Sequence, residues 1–364
     1  MIAQEAKRMS LRVHILDPDP QCPASSIADG LLVADFKNQA AIRKLSDCVD
    51  VLTYEIELAD SDVLIDLRRN SKAIHPAPET LKIIQNKYRQ KVFLQRKNLP
   101  VPNFALAADI ARGVNTGLHR FPLILKACQD SYDGRGNKRI YDIEEIVEVA
   151  NEKSLRMWMV EEVIQFRKEL SVMVARNESG QVSSFPVAEN KHSDSILDTT
   201  IVPARISKST EEMARDIAEK TVDVLRGSGI FCVEMFLKAS GEILINEIAP
   251  RPHNSGHYSI EGCSISQFEQ HIRAILNLPL TKPQLRSPTV MTNILGPNDF
   301  EGEYYLDSLD ELLSIEGLKL HLYGKRFSKP RRKLGHITIT ASSILDAINK
   351  SEKAKSSLRI MSGT

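Results

Sequence analysis

The sequence predicts a mixed chain, α/β at its start and α+β further on, and three observations carry that expectation. At 364 residues the chain exceeds the length at which a single core stops growing, so two or three domains are expected. Short apolar runs alternate with a helical pattern through the first 75 residues, which gives an open parallel sheet. Further on, two apolar runs flank Lys238-Ala239-Ser240-Gly241 as a hairpin would. The second of these runs ends in an unusual density of polar groups.

The elements follow in order. Residues 11–17 are a short buried strand ending in Asp17, with Pro18 and Pro20 in the turn. Residues 31–35 and 49–55 are further strands, and 39–46 is the helix between them. Ligands sit at the C-terminal ends of such strands, where Asp17, Asp35, Glu55 and Glu57 fall. A proline-rich connector, His75-Pro76-Ala77-Pro78, leads to a helix predicted over 79–98. Residues 121–127 are a strand followed by a Gly-rich turn at 132–136. Strands are predicted over 158–164, 169–176 and 181–189, with a turn at 177–180. Residues 209–226 form a helix whose first turn carries Glu211 and Glu212, favourable to the helix dipole. Strands over 231–237 and 242–247 make the hairpin. A helix follows over 267–276, and beyond Thr289 short strands alternate with turns.

Composition narrows the function classes. Apolar content of 42% and charged content of 26% are those of an ordinary globular chain. A formal net charge of +1 argues against a broad nucleic-acid surface, and aromatic content of 5% argues against base stacking. No apolar run is long enough for a membrane span, and residues 1–12 lack the apolar core of a secretion signal. Five cysteines are scattered without a CxxC pair, which suits reduced thiols in the cytoplasm.

Four constellations carry chemistry. Asn246 and Glu247 end the second hairpin arm, and Glu234 lies on the first. Strand pairing brings both carboxylates to one face, and magnesium takes one or two carboxylates plus substrate phosphates; two surface acids on a hairpin are the plainer alternative. Just beyond, Arg251 offers a bidentate grip for a small oxyanion beside His253, Asn254 and Ser255. Lys126 precedes Ser131-Tyr132-Asp133-Gly134-Arg135-Gly136-Asn137, a loop whose backbone could approach phosphate closely. It is neither a Walker A motif nor a GxGxxG fingerprint, and Asp-Gly is also an ordinary hairpin turn. Glu161, Glu162, Val163 and Ile164, with Glu169 further on, could meet a base and a ribose or form an exposed strand edge. Lys325, Arg326, Arg331, Arg332, Lys333 and His336 could hold a phosphate monoester or form a solvated loop.

Taken together these residues resemble the ATP-grasp superfamily. Within it they are most similar to the 5-(carboxyamino)imidazole ribonucleotide synthase family of purine biosynthesis. The strings that carry the resemblance are Tyr132-Asp133-Gly134-Arg135-Gly136, the run from Ile245 through Ala249-Pro250-Arg251-Pro252-His253-Asn254-Ser255-Gly256-His257, and Ser264-Ile265-Ser266-Gln267-Phe268-Glu269. The resemblance implies an N-terminal α/β pre-ATP-grasp domain over about 1–75, a linker and lid over 76–165, an ATP-grasp catalytic domain over 166–285 and a small β-rich tail with a basic segment over 286–364. Members open with a strand and a Gly-Gly-Gly-Gln-Leu-Gly loop before the first helix. Met1-Ile2-Ala3-Gln4 is expected to fall inside that helix. Where relatives carry Thr-Gly-Gly before the Tyr-Asp-Gly string, this chain has Gln129-Asp130-Ser131.

By the same resemblance, Lys126 and residues 131–137 would hold ATP phosphates. Glu161, Glu162, Val163 and Ile164 would meet adenine, and Glu169 the ribose. Lys87, His192 and Asn246 would complete the nucleotide site. Glu234, Glu247 and Asn246 would hold magnesium or manganese. Arg251, His253, Asn254 and Ser255, with Glu247, would surround bicarbonate and act in catalysis. Glu57, Tyr132, Arg135, Lys325 and Arg332 would bind aminoimidazole ribonucleotide. The implied reaction joins bicarbonate, ATP and that nucleotide through carboxyphosphate, in a cytoplasmic homodimer with no nucleic-acid or membrane partner. A sister ATP-grasp ligase (a formate-using glycinamide ribonucleotide transformylase or a biotin carboxylase-like enzyme) and a nucleotide-binding protein without full activity remain the alternatives.

Overall fold

The computed structural model describes residues 1–129, 136–151, 157–307 and 309–363, with Asn151 described in its backbone only. Its centre is a nine-stranded antiparallel sheet. The path runs Ile243–Ala249, Gly229–Lys238, Phe166–Arg176, Ala188–Ser193, Ile196–Val202, Thr289–Leu295, Lys333–Thr340, Leu318–Leu322, with Val182–Ser184 paired off the path to Phe166–Arg176. A four-stranded antiparallel sheet, ordered Phe104–Leu106, Trp158–Glu162, Leu123–Ala127, Asn137–Ile140, stands apart from it. A cleft of about 2460 Å³ is lined by residues of both sheets and of the N-terminal region.

Alternation of apolar side chains fixes which face of the large sheet is buried. The helix Lys208–Leu225 lays Ala214, Ala218, Val222 and Leu225, spaced at helical intervals, onto Leu170, Val172, Val174, Phe231 and Val233. Ser207 caps it by accepting from the Thr210 N–H. On another side, the helix Ile2–Arg8 packs Ile2 and Ala6 against Phe268, Ile272 and Ile275 of the helix Gln267–Ile275. No helix among the described residues is long and apolar enough to cross a membrane.

Three sequence expectations are corrected. The helix expected over 79–98 is two, Pro78–Ile84 and Lys87–Arg96. Asn86 breaks it, because its side chain accepts from the Arg89 N–H as an N-cap while the Lys87 N–H turns to the Cys128 carbonyl. The strand expected over 181–189 is also two, Val182–Ser184 and Ala188–Ser193, on either side of Phe185 and Pro186. Finally, the N-terminal parallel strands form two separate pairs rather than one sheet: His14–Asp17 with Gly30–Val33, and Val51–Thr53 with Ala73–His75.

Candidate active site

The hairpin sets the acids. Gly229–Lys238 and Ile243–Ala249 pair so that Glu234 stands opposite Glu247, and the register then jumps to Met235 opposite Ile245. Asn246 is therefore the extra residue of a β-bulge. In a regular strand Asn246 and Glu247 would point to opposite faces; here both line the cleft, with Glu234. The Glu234 carboxyl is pushed up to about 7 by burial, with Glu247 and Glu169 adding repulsion. Glu247 moves the other way, because Lys87 outweighs the effect of burial from 3.0 Å. An oxygen-rich pair with one surplus negative charge is the donor set a hard divalent cation takes.

A cluster of lysines faces these acids. Lys87 and Lys91 sit one turn apart on Lys87–Arg96, so they share a face. Lys91 Nζ donates to the Ile245 carbonyl at 3.0 Å and pairs with Glu161 at 3.1 Å. Lys126 pairs with the other Glu161 oxygen at 2.8 Å. Burial would raise the Glu161 carboxyl, yet Lys126 and Lys91 hold it down at about 2. Glu161 is thus a fixed anion that fastens two lysines across the cleft wall, at the strand end that Glu162, Val163 and Ile164 carry onward along the lining. Glu162 accepts from the Asn103 N–H at 2.8 Å. Glu169 lies 2.5 Å from His192 Nδ1 and raises that imidazole against burial.

Past the hairpin the cleft continues along Arg251, His253 and Asn254. Arg251 Nε lies 3.0 Å from a Glu57 oxygen, and its Nη1 donates to the Pro252 carbonyl. His253 Nε2 is 3.8 Å from Glu234; burial and Arg251 hold its imidazole far below the ordinary value. Asn254 exchanges hydrogen bonds with the Asn293 carboxamide. Gln267 grips the His253 backbone from both sides, accepting from its N–H and donating to its carbonyl. Gly256 makes that approach possible, since a Cβ there would lie 2.5 Å from Gln267 Oε1. Ser255 is fully buried, so it supports the site from behind rather than facing the cleft.

The structure brings Lys87, Lys126, Asn137, Glu161, Glu162, Val163, Ile164, Glu169, His192, Glu234, Asn246, Glu247, Arg251, His253, Asn254, Glu57 and Lys325 to one cleft. Arg332 is not in its lining; its Nη1 donates to the Phe327 carbonyl at 2.9 Å, and Lys333 lines the cleft instead. Ser131, Tyr132, Asp133, Gly134 and Arg135 lie outside the described residues, while Gly136 leads into Asn137–Ile140 at a φ of 82°. Sequence reasoning missed Lys91, Asn293 and Gln267. Lys91 left a signal, four residues after Lys87 on a helix face, and Gln267 stood within the Ser264–Glu269 string with no role assigned to it. Tyr323, whose ring lies 5.7 Å from Lys325 Nζ, was also missed.

Three family models match the chain. One described as an ATP-grasp domain covers residues 92–268. One described as a ribonucleotide synthetase preATP-grasp domain covers 1–85, and one described as a phosphoribosylaminoimidazole carboxylase C-terminal domain covers 289–350. The chain is similar to the N5-carboxyaminoimidazole ribonucleotide synthase of Bacillus subtilis, 39% identical over 93% of this chain and 87% of that protein. Its similarity to the phosphoribosylaminoimidazole carboxylase of Saccharomyces cerevisiae, at 38% identity, spans 95% of this chain but only 62% of that longer protein. Among solved structures, the N5-carboxyaminoimidazole ribonucleotide synthetase of Thermotoga maritima superposes with a TM-score of 0.91 at 44% identity, covering 100% of this chain and 96% of that one. The Aspergillus clavatus N5-carboxyaminoimidazole synthase, solved with ADP and 5-aminoimidazole ribonucleotide, gives 0.87 at 34% identity, covering 98% of this chain and 94% of that one. With that overlap in sequence, in fold and across all three domain models, this chain belongs to the N5-carboxyaminoimidazole ribonucleotide synthase family of ATP-grasp enzymes.

Proposed function

We propose that the chain carboxylates 5-aminoimidazole ribonucleotide with bicarbonate at the expense of ATP, giving 5-carboxyaminoimidazole ribonucleotide, ADP and phosphate. One observation carries the reading: Glu234, Asn246 and Glu247 converge on a cleft whose next residues along the chain are Arg251 and His253. Phosphate-facing and anion-facing groups therefore meet where a phosphoryl group would pass to bicarbonate.

The roles follow from charge and place. Lys87 and Lys126 supply positive charge to a triphosphate, and Glu161 keeps Lys126 fixed. Glu162, Val163 and Ile164 form the wall for adenine, with Glu169 and His192 toward the ribose. Magnesium at Glu234, Glu247 and Asn246 would neutralise charge spreading over the transferred phosphoryl group. Arg251 and His253 donate to bicarbonate and orient its oxygen for attack on the γ-phosphorus, which yields carboxyphosphate and releases ADP. Glu57 and Lys325 present the aminoimidazole nucleotide, whose exocyclic amine captures the carboxyl group. The cleft keeps that step away from bulk water.

The division into an N-terminal unit (1–75), a lid (76–165), a catalytic unit (166–285) and a tail (286–364) suits these roles, as do a homodimeric state and a cytoplasmic setting, where the five unpaired thiols would stay reduced. ADP release measured with each substrate omitted in turn tests the reaction. Full rate is expected only with ATP, magnesium, bicarbonate and 5-aminoimidazole ribonucleotide together. Turnover with formate or biotin in place of bicarbonate or the nucleotide would overturn it.

A further inference from the structure

A buried line of hydroxyls and one carboxamide runs from the sheet interior to the His253 imidazole. Thr200 Oγ1 donates to Asn190 Oδ1 at 3.0 Å, Asn190 Nδ2 to Ser171 Oγ at 2.9 Å, and Ser171 Oγ to Ser255 Oγ at 3.0 Å. Ser255 Oγ then lies 2.9 Å from His253 Nδ1. The four residues sit on three neighbouring strands and the short helix Asn254–Gly256, and none is more than 5% exposed.

The end of this line decides a tautomer. The Ser255 backbone N–H donates to His253 Nδ1 at 3.3 Å. A backbone amide can only donate, so Nδ1 accepts and the ring proton sits on Nε2. The order of hydroxyl donors agrees. Ser255 Oγ accepts from Ser171 and lies 2.9 Å from Nδ1, to which its own proton can pass as a donor; the Cys232 thiol, at a longer 3.6 Å, can take either role. Nε2 is the nitrogen nearer Glu234. The Gln267 carboxamide holds the His253 backbone in place, so the ring cannot drift from this arrangement without breaking two further hydrogen bonds.

We propose that Thr200, Asn190, Ser171 and Ser255 are positioning residues that fix His253 as the Nε2–H tautomer. His253 thereby becomes a hydrogen-bond donor to an oxyanion in the cleft, not a base and not a metal ligand. The identity of that oxyanion, bicarbonate or the carboxyphosphate made from it, rests on the carboxylation reading above; the tautomer does not. The same tautomer bears on a second feature of the site. Cys232 Sγ, a Glu234 oxygen and a His253 ring nitrogen lie within 4.8 Å of one another, a trio of mixed softness that a thiophilic cation would otherwise suit. With the proton on Nε2 and the Nδ1 lone pair engaged by the Ser255 N–H and hydroxyl, the imidazole has no lone pair to offer that set, which leaves the carboxylates to a hard cation.

The wild-type protein gives the first test. In the full-length chain labelled with 15N-histidine, His253 is assigned as the resonance lost in His253→Gln. Its Nδ1 should show the shift of an unprotonated acceptor nitrogen, and Nε2 that of a protonated one. A protonated Nδ1 would overturn the proposal. The second test is Ser171→Ala, with Ser171→Thr as the hydroxyl-bearing control. The alanine variant should lose about tenfold in kcat/KM for bicarbonate with KM for ATP unchanged, and the threonine variant should recover most of it. Equal losses toward both substrates, or none, would remove the positioning role. A wild-type chain that shows the Nε2–H tautomer but releases no ADP would contradict the carboxylation reading and leave the tautomer standing.

Discussion

Glu247 and Glu234 face each other across one hairpin, yet their environments push them apart. Lys87 holds Glu247 ionised, whereas burial and its acidic neighbours lift Glu234 to about 7. Replacing Glu247 with Gln removes a charge that Lys87 uses and that the proposed magnesium site requires. ADP release should fall by at least about 100-fold while circular dichroism stays native; unchanged release would place the metal elsewhere. Glu234 makes a pH-dependent prediction. Its folded value near 7 stands above the ordinary 4.5, so the folded state keeps a proton that the unfolded chain has already lost. Stability of the ligand-free protein therefore falls as pH rises through that window, by on the order of 3 kcal/mol. At the proposed site magnesium with nucleotide would cancel the repulsion, so its thermal stabilisation should be larger near pH 8 than near pH 5.5. A stabilisation independent of pH would show that Glu234 does not meet the cation. The acids, Arg251 and His253 were legible in the sequence because polar groups crowd a strand end. The support of His253 was not legible, because Thr200, Asn190 and Ser171 are ordinary strand residues until pairing brings them into line.

Among the elements, the helix Lys87–Arg96 joins the lysine wall to the hairpin. Lys91 is almost fully buried and binds both Glu161 and the Ile245 carbonyl. Lys91→Met would leave Glu161 with Lys126 alone and the carbonyl without its donor. Unfolding in urea should show a loss of about 2–3 kcal/mol, less than the full cost of orphaning a buried charge because Lys126 remains. A loss below about 0.5 kcal/mol would mean that the ion pair adds nothing beyond packing. Element boundaries were legible where pattern and cap agree, as for Lys208–Leu225 with Ser207 before it. They failed at Asn86, whose neighbours continue a helical pattern. The break depends on the Cys128 carbonyl, forty-odd residues away, accepting from the Lys87 N–H, and periodicity carries no trace of such a partner.

For the molecule as a whole, the cleft exists because two antiparallel sheets and the N-terminal unit face a common space. The mixed α/β and α+β character was legible from strand spacing. The grouping of the N-terminal strands into two parallel pairs was not, because alternation marks strands but not which edges hydrogen-bond. Substrates that bridge the walls of the cleft should stabilise the whole chain. ATP with magnesium is expected to raise the melting temperature, and adding 5-aminoimidazole ribonucleotide to raise it further. No shift with either would mean that the walls do not bind these ligands together. The central claim is that bicarbonate attacks the γ-phosphoryl group within this cleft. Incubating the enzyme with 18O-bicarbonate, ATP, magnesium and 5-aminoimidazole ribonucleotide, then weighing the released phosphate by mass spectrometry, tests it most directly. One 18O atom should pass into each phosphate. Phosphate free of label would show that no carboxyphosphate forms and would contradict the account.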